Sequence, residues 1–508
     1  MTDSLNIALA QLNPTVGDID GNIDLVRQAR TKVAQDGCDL LVTGELMVSG
    51  YPPEDLVLKR AFQDHIEASV TTLSKETGDG GPAILIGAPW RKDEKLYNAA
   101  LILDEGRVKS VMLKHLLPNY GVFDEKRVFE AGPAPGPLMF RGVALGVMIC
   151  EDMWTADVTE CLDETGAELL VVLNGSPFED DKTDTRLNLA TARTLESGLP
   201  LIYVNLLGGQ DELVFDGDSF VLSAEGEVRT QLGQWESQIV TMKWQKNSAG
   251  TWACEKGPMA ARPNQMESIY RTLVLGLRDY VRKSHFPGVL IGMSGGIDSA
   301  LSAAVAVDAL GPDAVHCVMM PSPYTSDDSL EDAASACKML SARLDCIGIE
   351  PAMNAFSEML SDTFDGTTAD TTEENIQARS RGITLMAISN KLGYMVLSTG
   401  NKSEMSVGYA TLYGDMCGGY SVLKDVYKTT VFELSRWRNE NKPTDSLGPD
   451  GPVMPERIIT KPPSAELKPD QTDQDTLPDY DQLDDILHCL IEEDMSRHDI
   501  AARGHDMA

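Results

Sequence analysis

Short apolar runs bounded by Gly, Pro, Asn or Asp recur through the first half of the chain. They fall at residues 5–12 (LNIALAQL), 39–46 (DLLVTGEL), 83–89 (AILIGAP), 98–104 (NAALILD), 143–150 (VALGVMIC), 168–174 (ELLVVLN) and 200–207 (PLIYVNLL). Runs of this length with such borders predict buried strands. Helical patterns lie between some of them, at Asn22 to Asp36 and Leu187 to Ser197, whereas 83–89 and 98–104 follow each other as a hairpin would. The mixture predicts a layered α/β domain with a mixed sheet, ending near Trp252.

A Pro- and Gly-punctuated stretch, GPMAARPN, then predicts a linker. Beyond it strand and helix patterns alternate: helix 265–284, strand 289–293, helix 299–310, strand 315–321, helix 328–343, strand 345–351, helix 375–392 and strand 394–400. Regular alternation with short connections predicts a doubly wound parallel sheet. Residues 440–480, rich in Pro, Asp and Thr, predict a long irregular excursion, and 481–493 an acidic helix. The division expected is a first domain over 1–256, a linker over 257–265 and a second domain over 266–508.

Length and composition fit that picture. At 508 residues the chain is too long for one ordinary core. Apolar residues at 42 % and charged residues at 24 % are globular proportions. The start, MTDSLNIALAQLNP, has neither the basic beginning nor the long apolar stretch of a secretory signal, and no apolar run is long enough for a bilayer. Nine cysteines without paired or CxxC spacing suggest neither a disulfide framework nor a zinc site, and a cytoplasmic home is expected. A formal charge of −35 argues against nucleic-acid and membrane-surface partners, because it repels phosphates at long range. An anionic ligand therefore needs local cations or backbone N–H groups.

One segment supplies such groups. Ser294-Gly295-Gly296-Ile297-Asp298-Ser299 follows a predicted strand and opens an Ala-rich helix. Two glycines let the backbone turn tightly, while N–H groups and hydroxyls converge where a helix N-terminus favours phosphate. A plain strand-to-helix turn with an Asp or Ser cap is the competing reading. The segment resembles the pyrophosphate loop of the ATP pyrophosphatases, which split ATP into AMP and pyrophosphate and activate a substrate oxygen as an adenylate. Later segments resemble NAD synthetases: Thr372 to Arg379 (TEENIQAR), Ser398 to Glu404 (STGNKSE), Gly408 to Asp415 (GYATLYGD), Lys424 to Lys428 and Pro462 to Leu467 (PPSAEL). That resemblance implies ATP contacts at Gly292, Met293, Ser294, Gly295, Gly296, Ile297, Asp298, Ser299, Thr399, Lys428 and Ser464. It implies deamido-NAD contacts at Asn375 and Glu404, and Mg²⁺ at Asp298 and Glu404. Residues 408–428, with Gly414, Gly418 and Gly419, are expected to act as a lid.

In the first half Glu45, Lys114 and Cys150 stand at or near the ends of apolar runs, where open α/β sheets place chemistry. Singly, Cys150 reads as a core residue, Lys114 as a surface one and Glu45 as a cap. Together they offer a nucleophilic thiol, a cation to lower its pKa and a carboxylate to carry protons. Their order resembles the nitrilase superfamily, which cleaves C–N bonds through a thioester. The resemblance implies an α-β-β-α sandwich for this half, joined to the Rossmann-like second domain. It also implies a glutamine pocket lined by Tyr120, Ser176 and Lys182, with Tyr51 and Phe123.

The two resemblances imply a single reaction: ammonia freed from glutamine amidates deamido-NAD at the expense of ATP, by a dry route that keeps ammonia uncharged, in a homo-oligomer that the family resemblance makes an octamer. Other glutamine amidotransferases fit less well, since Thr2 rather than Cys follows Met1 and the His residues are poorly placed for a Cys-His-Glu triad. A regulatory protein with an inactive hydrolase half is disfavoured, because no catalytic residue is missing. In the family a segment like Ala502 to Asp506 leads into a basic stretch with a lysine that contacts deamido-NAD; this sequence stops at Ala508.

Overall fold

The structure, a computed structural model, describes residues 3–180, 182–248, 250–469 and 471–505; Thr2 and Asp506 of the sequence reading lie outside the described residues. The chain divides into two compact units, Met1–Pro263 and Asn264–Ala508.

The first unit holds a seven-stranded sheet in the order Trp252–Cys254, Gln238–Lys246, Ser4–Gln11, Leu40–Val42, Ala83–Lys92, Lys95–Asp104, Arg107–Leu113. A six-stranded sheet runs Val228–Gln231, Phe220–Leu222, Leu201–Asn205, Leu169–Asn174, Val143–Ile149, Leu138–Phe140. Strand alternation divides the side chains between layers. Leu5, Ile7 and Leu9 share a core with Val147, Ile149, Val171 and Leu173 of the other sheet. Ala8 and Ala10 face outward to Val26 and Val70 of the helices Ile19–Ala34 and Arg60–Glu76. On the opposite side Met148, Leu170 and Val172 pack with Val158, Leu162 and Ala190 of the helices Ala156–Glu164 and Lys182–Ser197. The result is an α-β-β-α sandwich. With both sheet faces covered, its inner strands read as unbroken apolar runs.

The second unit carries a five-stranded parallel sheet in the order Arg343–Cys346, Val315–Met319, Val289–Gly292, Met395–Ser398, Tyr420–Ser421. Helices Gln265–Lys283, Ile297–Leu310, Asp327–Leu340 and Lys428–Glu440 cover one face, and Leu385 of Thr371–Leu392 packs on the other. The chain leaves Val289–Gly292 toward one side and returns to Met395–Ser398 on the other, so the topological switch lies at the ends of these two strands. Ligands of open α/β sheets bind in that crevice.

Several boundaries differ from expectation. The run 39–46 is a strand only over Leu40–Val42, and 200–207 breaks into Leu201–Asn205 and Leu207–Gln210. The strand expected over 345–351 is Arg343–Cys346; Pro351 belongs to the first turn of a helix, Glu350–Leu360, where its missing N–H has no cost. Within 257–265, Gly257 and Ala260 hydrogen-bond to Arg229 and Gln231, and Asn264 caps the helix that begins at Gln265. Within 408–428, Tyr420–Ser421 is a sheet strand and Val422, Leu423 and Val426 are core, so only the earlier part of that segment is free of the sheet.

Candidate active sites

Where the first sheet's strands end, three charged side chains are buried together. Glu45 leaves the strand Leu40–Val42 in a turn, and Lys114 follows Arg107–Leu113. Lys114 Nζ donates to Glu45 Oε1 at 2.7 Å and to both oxygens of Glu125 at 2.8 and 2.9 Å. Asn98 Nδ2 donates to Glu45 Oε1 at 2.7 Å, and the Gly175 N–H to Glu45 Oε2 at 2.9 Å. Tyr51 Oη donates to Glu125 at 2.9 Å. Burial works against the Lys114 ammonium, but Glu125 and Glu45 outweigh it and hold its pKa well above the ordinary value. Burial also pushes the Glu125 carboxyl up, against the pull of Lys114.

Cys150 directly follows the strand Val143–Ile149 and is buried with a backbone φ of +45°. Non-glycine residues rarely hold such a φ unless their surroundings impose it. Its thiol feels the charges of Glu45, Lys114, Glu125 and Glu151. Lys114 does pull this pKa down, as expected of a nearby cation, but burial and then Glu45 act more strongly and hold the thiol well above its ordinary value. Glu45 is the carboxylate with the largest influence on the thiol. Two residues on, Asp152 accepts from the N–H groups of Ile149, His115 and Leu116 at 3.1, 3.0 and 2.8 Å.

The aromatic and polar groups expected around glutamine adjoin this cluster. Tyr120 Oη donates to Glu151 at 2.9 Å, and its ring meets Phe123 edge-on at 5.7 Å. Phe123 also meets Tyr51 at 6.4 Å, and the Lys182 ammonium stands 5.5 Å over its ring. Lys182 is buried and paired with Glu179. Ser176 sits beside the Gly175 that holds Glu45, its hydroxyl accepting from Arg186 Nε at 3.1 Å.

In the second unit the loop Ser294–Ser299 joins Val289–Gly292, Met293 included, to the buried helix Ile297–Leu310. Gly295 has φ +79°, and a Cβ there would come within 2.2 Å of Ser329 O. Only glycine fits. Ser294 Oγ accepts from the Gly296 N–H at 3.1 Å and lies 3.1 Å from Ser299 Oγ, which curls the loop around the helix N-terminus. Lys428 Nζ donates to Asp298 Oδ2 at 2.5 Å and Glu404 Oε1 at 3.0 Å, and Asn401 Nδ2 to Asp298 Oδ1 at 2.9 Å. Burial and Asp298 push Glu404 up to about 7 despite Lys428. Thr399 follows the strand Met395–Ser398 at the switch point. Asn375 accepts from Thr411 Oγ1 at 3.0 Å, and Ser464 donates to Gln471 O at 2.6 Å.

Residues 6–253 match the carbon-nitrogen hydrolase family, and residues 269–507 match NAD synthase. A glutamine-dependent NAD(+) synthetase of Rhodobacter capsulatus is 49 % identical over the whole chain and 92 % of its own length. The chain belongs to the glutamine-dependent NAD(+) synthetases. Another member, from Acinetobacter baylyi, is 44 % identical over 99 % of this chain and 91 % of its own. A solved glutamine-dependent NAD(+) synthetase of Acinetobacter baumannii, in complex with ADP, superposes with TM-score 0.84 at 40 % identity, covering 99 % of this chain and 91 % of that one. Among the described residues no helix is long and apolar enough to cross a membrane.

Sequence reading of this synthetase missed Glu125, Asp152 and Arg186. Glu125 lies in the polar run FDEKR, which looks solvated, yet it is 5 % exposed. Arg186 lies just before the helical pattern predicted from Leu187, where nothing in the sequence marks it; it is 1 % exposed and ties Ser176, Pro177 and Asp216 together. Asp152 offered one signal, its place two residues after a candidate nucleophile.

Proposed function

We infer that this enzyme forms NAD⁺ from deamido-NAD, ATP and glutamine, with Cys150 as the nucleophile that frees ammonia. The observation that carries the reading is the buried Glu45–Lys114 pair, both of whose charges act on the buried Cys150 thiol. An ion pair of zero exposure is a poor stabiliser in itself, so its place beside a nucleophile points to chemistry.

Glu45 takes the Cys150 proton as the sulfur attacks the glutamine amide carbon. Lys114 faces the oxyanion that forms, an interaction stronger in the transition state than in the ground state. Collapse of the tetrahedral adduct returns the proton to the departing nitrogen and leaves a thioester. Glu45 then removes a proton from water, which releases glutamate and restores the thiol. Tyr120, Ser176 and Lys182, supported by Tyr51 and Phe123, bind and orient glutamine.

In the second unit the loop Ser294–Ser299, with Gly292 and Met293 beneath it and Lys428 beside it, would cradle the ATP phosphates, with Thr399 and Ser464 completing that site. Asn375 and Glu404 would hold deamido-NAD, whose carboxylate attacks the α-phosphate to give an adenylate and pyrophosphate. Ammonia then displaces AMP. Asp298 and Glu404 offer hard oxygens beside a phosphate loop, a donor set that suits Mg²⁺ shared with ATP. When bound, Mg²⁺ would neutralise charge on the leaving pyrophosphate. The same reading makes the enzyme a cytoplasmic homo-octamer acting on small molecules, with an acidic surface unsuited to nucleic acid.

Incubation with deamido-NAD, ATP and glutamine tests the reading. It expects NAD⁺, AMP, pyrophosphate and glutamate in equal amounts. Release of ADP and phosphate in place of AMP and pyrophosphate would refute it.

A further inference from the structure

Cys150 and Lys114 reach the glutaminase site on separate strands, and no direct bond between them sets their spacing. Each is the first residue beyond its strand, Val143–Ile149 for the cysteine and Arg107–Leu113 for the lysine. The backbone on both sides of the gap carries N–H groups that need acceptors, buried at Ile149 and half-buried at His115 and Leu116. One side chain serves both. Asp152 Oδ2 accepts from the N–H of Ile149, immediately before Cys150, at 3.1 Å. Asp152 Oδ1 accepts from the N–H groups of His115 and Leu116, immediately after Lys114, at 3.0 and 2.8 Å. Asp152 has no solvent exposure and makes no hydrogen bond to either catalytic side chain.

We propose that Asp152 is a positioning residue: a carboxylate clamp that sets the distance between the nucleophile Cys150 and the oxyanion cation Lys114. This deepens the reading of Cys150 as nucleophile and rests on it. Three features favour a clamp over a plain turn cap. A cap serves its own segment, whereas two of the three donors lie 36 and 37 positions away. The peptide it grips before Cys150 leads directly into the φ of +45°, a conformation that persists only where surroundings over-determine it. On the other strand Lys114 N donates to Asn98 O at 2.8 Å and Gly132 N to Lys114 O at 2.7 Å, so the clamp ties Cys150 to a backbone already fixed. Charge matters as well as shape. Three N–H donors converge on two oxygens, and an amide would supply one acceptor and turn two hydrogens toward a donor.

The test compares Asp152→Asn, Asp152→Ala and Cys150→Ala in the full-length enzyme, measuring glutamine hydrolysis and ammonia-driven NAD⁺ synthesis. Displacing a reacting group by about 1 Å costs on the order of 100-fold, so Asp152→Asn is expected to lower kcat for glutamine by roughly 10- to 100-fold with KM changed less than about threefold. Asp152→Ala is expected to fall further, and both variants to keep ammonia-driven synthesis within about twofold of wild type. The clamp is overturned if kcat for glutamine survives in both variants. It is equally overturned if KM rises with kcat intact, which marks a glutamine-binding role, or if ammonia-driven synthesis falls in parallel, which marks a general folding role. Glutamine-driven synthesis by Cys150→Ala would instead refute the underlying assignment, whatever the Asp152 variants do.

Discussion

Lys428 Nζ lies 2.5 Å from Asp298 Oδ2, a contact across 130 positions of sequence. With its second bond to Glu404 the ammonium is a buried cation held between two carboxylates beside the loop proposed to cradle phosphate. Removing one member of such a group leaves the rest uncompensated, at a cost of about 3–5 kcal/mol. Lys428→Met is therefore expected to cut synthesis by roughly 100-fold or more, with glutamine and with ammonia alike, while glutamine hydrolysis continues. Pyrophosphate and glutamate release, measured with each nitrogen donor, check this.

Glu125 holds the other side of Lys114 from Glu45 and is itself held by Tyr51. Glu125→Gln removes a charge without changing the shape of the side chain. Glutamine hydrolysis is expected to fall by roughly 100-fold, the scale of a lost proton-transfer or electrostatic partner, with ammonia-driven synthesis unchanged. A steady-state comparison of the two donors decides it.

These two clusters differ in how far the chain alone discloses them. The loop Ser294–Ser299 was legible because its glycines and hydroxyls are contiguous and its function depends on local backbone geometry. The strands Ala83–Lys92, Val143–Ile149 and Leu169–Asn174 were legible because both faces of each sheet are covered, which leaves uninterrupted apolar runs. Arg107–Leu113 was not, since its edge position leaves Arg107 and Lys109 exposed and breaks the pattern. Helix Arg60–Glu76 escaped because its apolar positions, Ile66, Val70 and Leu73, are widely spaced among polar residues. Glu125 and Asp152 were hidden for a further reason: a carboxylate reads as solvated until tertiary structure supplies donors 11 to 74 positions away.

The resting state of Cys150 makes its own prediction. Burial and Glu45 raise the thiol above its ordinary value of 9.0, so little thiolate exists in the free enzyme at neutral pH. Alkylation by iodoacetamide, followed on the Cys150 peptide by mass spectrometry, is expected to keep accelerating through that pH. Lys114 favours the thiolate, so Lys114→Met is expected to slow alkylation further. A rate that levels off near neutrality would mean a preformed thiolate and would remove the need for Glu45 as base.

The central claim is that Cys150 serves only to release ammonia, and the most direct measurement compares nitrogen donors on Cys150→Ala. The account predicts that NAD⁺ formation from glutamine disappears while formation from ammonium salts stays at the wild-type rate. Continued synthesis from glutamine, or loss of synthesis from both donors, would contradict it.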